Sequence, residues 1–90
     1  MNKVVLITGA AKGIGRAIAL ELAQHGYDIV INYHTSRDAA YDLQKQIKDM
    51  NVRCLVVQAD VSKEDEVESM ITTINSEMGG VDILINNAAV

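Results

Sequence analysis

Val4-Val5-Leu6-Ile7-Thr8-Gly9-Ala10-Ala11-Lys12-Gly13-Ile14-Gly15 is the stretch on which the reading of this chain turns. Its first four residues form a short apolar run, mostly β-branched, of the kind found in strands buried on both faces. The three glycines then lead into a helical pattern from about Gly13 to Gln24, with Ile14, Ile18 and Leu22 on one stripe and Gly26 available as the stop. Glycines at a strand-to-helix turn permit positive backbone dihedrals and let a diphosphate approach the free N–H groups of the helix N-terminus. The plainer alternative is a turn of small residues that serves packing alone. A phosphate loop of the nucleotide-hydrolase type does not fit, because it needs Gly-Lys followed by Ser or Thr. Here Lys12 precedes Gly13, and Arg16 follows Gly15.

Outward from this turn the pattern repeats. Ile29-Val30-Ile31, Cys54-Leu55-Val56-Val57 and Ile83-Leu84-Ile85 read as further buried strands. Between them, a helix is expected over about Arg37 to Met50, with Ala40, Leu43, Ile47 and Met50 at helical spacing. A third helix carries Val67, Met70, Ile71, Ile74 and Met78, with Ser62 as N-cap, Glu64 and Asp65 in the first turn and Gly79-Gly80 at the end. Strand and helix alternate throughout, which implies parallel strands joined by right-handed crossovers. The expected fold is α/β, a partial Rossmann fold of four parallel strands in the order 3-2-1-4 with three crossover helices.

At 90 residues the chain allows one domain at most, against a common domain size of about 100 to 150. Hydrophobic residues at 49% and charged residues at 22% exclude a disordered or fibrous chain. Twelve acids against eight bases give a net charge of −4, which argues against nucleic acid or an anionic membrane as partner. No apolar run approaches the roughly 20 residues a membrane span needs, so the chain reads as soluble and cytoplasmic. Cys54 sits in an apolar stretch and reads as a buried structural thiol. The acidic cluster Glu64-Asp65-Glu66-Glu68 reads as a solvated helix face rather than a metal site, and no metal is expected.

Thr8-Gly-x-x-x-Gly-x-Gly15, Asp60-Val61 after the third strand and Asn86-Asn87-Ala88-Ala89 after the fourth together resemble the short-chain dehydrogenase/reductase family, in the correct order and over the whole chain. Within it, the wording around Gly9 to Ala19 and Val81 to Ala88 is most similar to 3-oxoacyl-acyl-carrier-protein reductases, with sugar dehydrogenases sharing much of it. The resemblance implies that Gly9, Lys12, Gly13 and Ile14 line the cofactor phosphates beside Gly15, and that Asp60 and Val61 contact the adenine. Asn87 and Ala88 would lie along the adenosine ribose, while Asn86 would brace the sheet. The family usually ends its last motif in glycine, so Ala89 is a departure that could crowd the cofactor.

Chemistry at the end of the second strand separates the two nicotinamide dinucleotides, because an acid there binds both ribose hydroxyls of NAD and repels the 2′-phosphate of NADP. This chain has Asn32-Tyr33-His34-Thr35-Ser36-Arg37 instead. With no acid in place, His34 at the strand end would border the adenine ribose or face solvent, and Tyr33 beside it is a candidate cofactor contact. Arg37 and Lys12 form a pair of cations able to flank a 2′-phosphate. The expected cofactor is therefore NADP(H). His25, near the end of the first helix, reads as a favourable charge at a helix C-terminus.

By the same resemblance, catalysis rests on a serine, a tyrosine and a lysine four residues after it, all beyond Val90. Tyr41-x-x-x-Lys45 has that spacing but falls in the helix after the second strand, on the adenosine side, and is a decoy. No catalytic residue is expected within the chain, which reads as the N-terminal part, residues 1–90, of a domain of roughly 250 residues. Alone it should be inactive, and it should self-associate through an open fourth strand and an apolar sheet face. The parent would be a homo-oligomer that reduces an acyl-carrier-protein thioester. The alternatives are a non-catalytic dinucleotide-binding module, or a dehydrogenase of a sugar or other alcohol.

Overall fold

Successive side chains of a strand point to opposite faces, so an unbroken apolar run needs cover on both. The computed structural model, which describes residues 2–88, provides it with β1 (Val4–Ile7), α1 (Gly13–Gln24), β2 (Asp28–Tyr33), α2 (Arg37–Lys48), β3 (Cys54–Gln58), α3 (Glu64–Met78) and β4 (Ile83–Ile85). The strands form one parallel sheet in the order β3-β2-β1-β4, with Val5 opposite Ile29 on one side and Ile83 on the other. Alternation along the strands divides the core in two. Val5, Ile7, Ile29, Ile31, Tyr33 and Cys54 pack on Ala19 and Ala23 of α1 and on Ala40, Leu43 and Ile47 of α2. Val4, Leu6 and Val30 face Met70, Ile74 and Met78 of α3.

Four local expectations are corrected. The residues that α1 buries fully are Gly15, Ala19 and Ala23, with Ile18 and Leu22 of the expected stripe half-buried against the same core; Ile14 departs from it at 74% exposed. Small residues let the helix lie close to the sheet, and this outweighs burying the larger side chains. Helix α2 ends at Lys48, leaving Met50 half-buried in the turn that follows, where Asn51 takes a positive φ of 63°. The N-cap of α3 is Lys63 rather than Ser62, because Ser62 donates both its N–H (3.0 Å) and its hydroxyl (2.7 Å) to Asp60 Oδ1. Finally, β4, at the sheet edge as the expected strand order requires, is not covered on both faces: its Leu84 is 60% exposed.

The edge of the sheet where the strands begin is tied by polar groups. Asp82 Oδ2 accepts the Val4 N–H at 2.8 Å, joining the starts of β4 and β1. Asp28, 2% exposed, accepts from the Arg53 backbone N–H, the Arg53 guanidinium and the Asn2 amide. Burial alone would raise the Asp28 carboxyl, but these bonds and the Arg53 charge outweigh it and hold it below the usual range. Burial pushes the Cys54 thiol up to about 12, which makes it an inert core group. His25 Nδ1 lies 2.9 Å from the Glu21 carbonyl in the last turn of α1. No helix among the described residues is long and apolar enough to cross a membrane.

Candidate dinucleotide site

Because the strands are parallel, the turn after β1 and the segments after β2, β3 and β4 all emerge at one edge. The chain leaves β1 toward β2 and β3 on one side, then returns to place β4 on the other. Such a reversal opens a crevice beyond the C-terminal ends of the two strands that flank it, and the glycine turn lies there.

The glycines do different work. A Cβ on Gly15 would come within 2.5 Å of Asn87 Nδ2 and 2.8 Å of the Gly9 carbonyl oxygen, so this position seats α1 against the turn. Gly9 (φ 63°) is packed against Ala88, whose Cα would be 3.1 Å from a Cβ there. Gly13 (φ 61°) faces open space. Lys12, the N-cap of α1, is extended and makes no side-chain cap, and the first turn holds no acid. The first intrahelical bond runs from the Arg16 N–H to the Lys12 carbonyl (3.4 Å), which leaves the N–H groups of Gly13, Ile14 and Gly15 ahead of it. The backbone dipoles and the open approach at Gly13 suit an anion.

Two polar residues outside the expected site build its frame. The Thr8 hydroxyl donates to Asn86 Oδ1 (3.1 Å) and accepts the N–H groups of Asn87 (2.9 Å) and Ala88 (3.1 Å). Asn32, buried at the end of β2, accepts the Gly9 N–H through Oδ1 (3.1 Å) and donates from Nδ2 to the Ala59 carbonyl (3.2 Å). Thr8 thus joins β1 to the segment after β4, and Asn32 joins the turn to the segment after β3. The available signal was a polar residue directly after an apolar run, Thr8 after Val4 to Ile7 and Asn32 after Ile29 to Ile31. Asn87, like Asn86, is committed to the frame, since its Nδ2 donates to the Gly9 carbonyl at 3.1 Å.

At the end of β3, Asp60 lies with Oδ2 3.8 Å from His34 Nε2, and its own N–H donates to Glu66 Oε1 (2.9 Å). Hydrogen bonds from the Ser62 hydroxyl, then from the Ser62 N–H, hold the Asp60 carboxyl below the usual range. Val61 lines an apolar groove of about 220 Å³ with Leu6, Met70 and Ala88. Lys12, His34 and Arg37 are exposed, whereas Tyr33 is buried on the α1/α2 side. The structure thus brings Gly9, Lys12, Gly13, Ile14, His34, Arg37, Asp60, Val61, Asn87 and Ala88 to one edge, with Tyr33 and Gly15 in the packing beneath. Ala89 lies outside the described residues. Tyr41 of α2 packs with its ring edge-on to Tyr33 of β2 (6.5 Å) and under the Arg37 guanidinium (5.4 Å).

Two other clefts, of about 460 and 350 Å³, lie at the opposite edge around Asn2, Asp28 and Arg53, where the polar groups satisfy one another. No group of three metal-ligating side chains occurs among the described residues.

Strand order, glycine turn and edge crevice define a Rossmann-like α/β unit. The family model for short chain dehydrogenase matches residues 3–90, and the chain belongs to that family, whose members bind nicotinamide dinucleotides. It is 48% identical over 90 residues to 3-oxoacyl-[acyl-carrier-protein] reductase FabG of Staphylococcus epidermidis and 43% identical to that of Staphylococcus aureus. It covers 37% of the length of each of these relatives. The acetoin dehydrogenase YohF of Salmonella typhimurium superimposes with a TM-score of 0.91 at 37% identity, over all of this chain and 36% of that one. Acetoin dehydrogenase from Enterobacter cloacae gives 0.91 at 31% identity, over all of this chain and 37% of that one.

Proposed function

We propose that residues 1–90 hold the adenosine and diphosphate portion of NADPH in a short-chain carbonyl reductase whose substrate is a 3-oxoacyl thioester of acyl-carrier protein. The observation that carries the reading is the uncapped N-terminus of α1 behind the open Gly13, flanked by the exposed cations Lys12 and Arg37, with no acid at the end of β2. Backbone N–H groups of Gly13 and Ile14 would take the diphosphate, Lys12 and Arg37 the 2′-phosphate, and His34 the ribose edge. Asp60 and Val61 would border the adenine, with Asn87 and Ala88 along the ribose. Tyr33 and Gly15 would act from beneath, by fixing the loops that touch the ligand.

When bound, the nicotinamide supplies a hydride to a substrate carbonyl. The residues of this chain orient the dinucleotide and exclude its alternatives, while proton transfer belongs to a serine, tyrosine and lysine elsewhere in the whole protein. The substrate class is supported by 43–48% identity to reductases of that name. A second reading, a small hydroxyketone substrate, is favoured by the likeness to the acetoin dehydrogenases.

Replacing Lys12 and Arg37 with alanine together tests the cofactor assignment. NADPH should bind about 10- to 100-fold more weakly, with NADH changed by less than about threefold, since two charge-assisted contacts are removed from one ligand only. Unchanged NADPH-to-NADH selectivity overturns it.

A further inference from the structure

Arg16, the second residue after Gly15's neighbour Ile14, projects from α1 into the gap between the glycine turn and α2. Its Nη1 donates to the Ala11 carbonyl (3.2 Å) in the turn and to the Ala39 carbonyl (3.1 Å) in the first turn of α2. Its Nη2 forms a 2.8 Å ion pair with Asp42 Oδ2, which also accepts Gln46 Nε2 at 3.1 Å. One guanidinium therefore grips two separate backbones and is itself held by a carboxylate. The Arg16 side chain is 25% exposed, so most of its surface is taken up by this contact.

The two backbones it joins are the ones that carry the exposed cations. Ala11 is adjacent to Lys12, and Ala39 lies within one helical turn of Arg37. We infer that Arg16 is a positioning residue that fixes the spacing between Lys12 and Arg37, and through it the preference of the site for a dinucleotide bearing a 2′-phosphate. This rests on the function proposed above. A planar fork of donors can satisfy both carbonyls and Asp42 together, whereas a lysine ammonium on a flexible stem cannot hold all three in fixed geometry.

The test is fluorescence titration of NADPH and NADH against the protein as its gene encodes it, in wild type, Arg16→Lys, Asp42→Asn, Arg37→Ala and the Arg16→Lys/Arg37→Ala double variant. Arg16→Lys should weaken NADPH by about tenfold and NADH by less than about twofold. Asp42→Asn, an exposed change that leaves the carbonyl contacts in place, should shift selectivity the same way by about threefold, and it serves if Arg16→Lys does not fold. In the Arg37→Ala background, Arg16→Lys should no longer discriminate between the two dinucleotides, because residues that act through one another are not additive. Equal weakening of both ligands, or the same loss of selectivity in both backgrounds, would make Arg16 a fold-stabilising residue only and overturn the inference. Wild-type preference for NADPH with unchanged selectivity in Arg16→Lys and Asp42→Asn overturns this inference alone. Failure of wild type to bind either dinucleotide overturns the proposed function and the inference with it.

Discussion

The Thr8 hydroxyl has one proton to donate and two lone pairs to offer, and the segment after β4 uses all three. A valine keeps the shape and removes every partner. Thr8→Val should therefore cost about 2 kcal/mol in urea unfolding, while Thr8→Ser retains most of the stability. Asp28 gives a second prediction. Its folded carboxyl is held below the ordinary range, so its contribution is complete above about pH 4 and is lost as the pH falls through the folded value. Asp28→Asn should be less stable at neutral pH by about 3 kcal/mol and should flatten the acid limb of the stability profile, measured by urea unfolding between about pH 2 and 7. At this scale the sequence was partly transparent. The glycines of the turn could be picked out from local spacing and Asp60 from the family resemblance, but Thr8, Asn32 and Arg16 work through partners on other elements. Asn87 illustrates the same limit: its motif was plain, yet the bond to the Gly9 carbonyl is a fact of packing.

Helix α1 separates what hydrophobicity suggests from what geometry requires. The bulky residues at helical spacing, Ile14, Ile18 and Leu22, marked the helix correctly and its buried face only in part: Gly15, Ala19 and Ala23 lie fully against the sheet, Ile18 and Leu22 pack half-buried at the border, and Ile14 faces solvent. The glycines should accordingly respond differently to alanine. Gly15→Ala drives a methyl toward the Gly9 carbonyl and Ala10 Cα, backbone atoms that cannot swing aside, and should cost about 1–3 kcal/mol and displace the turn. Gly13→Ala meets no atom and pays only for its φ of 61°, about 1–2 kcal/mol. Thermal unfolding of both variants measures the ranking, and Gly15→Ala should also show weaker dinucleotide binding per unit of lost stability. Elsewhere the periods were faithful guides, as with Ala40, Leu43 and Ile47 in α2 and Met70, Ile74 and Met78 in α3. The N-cap of α3 was missed because Ser62 had a competing local acceptor in Asp60.

Across the whole molecule, one sheet face is covered by two helices and the other by α3 alone. Leu84 at 60% exposure, with Ile71 and Ile83 at 36% each, forms an apolar border along the open β4 edge. Such a border favours association. Sedimentation velocity of the 90-residue chain should show concentration-dependent self-association that Leu84→Lys reduces, and a monodisperse monomer at all concentrations would contradict it. The architecture was legible from the alternation of strands and helices, since few topologies satisfy a parallel sheet with short connections. That same architecture brings a turn, a strand end and a helix start, far apart in the chain, to one edge with Lys12 and Arg37 exposed. The most direct measurement of the account is calorimetric titration of NADPH and NADH into the protein as its gene encodes it, at matched ionic strength. NADPH should bind at least about tenfold more tightly, with the difference narrowing as salt rises. Equal affinity for the two, tighter binding of NADH, or no binding of either would contradict it.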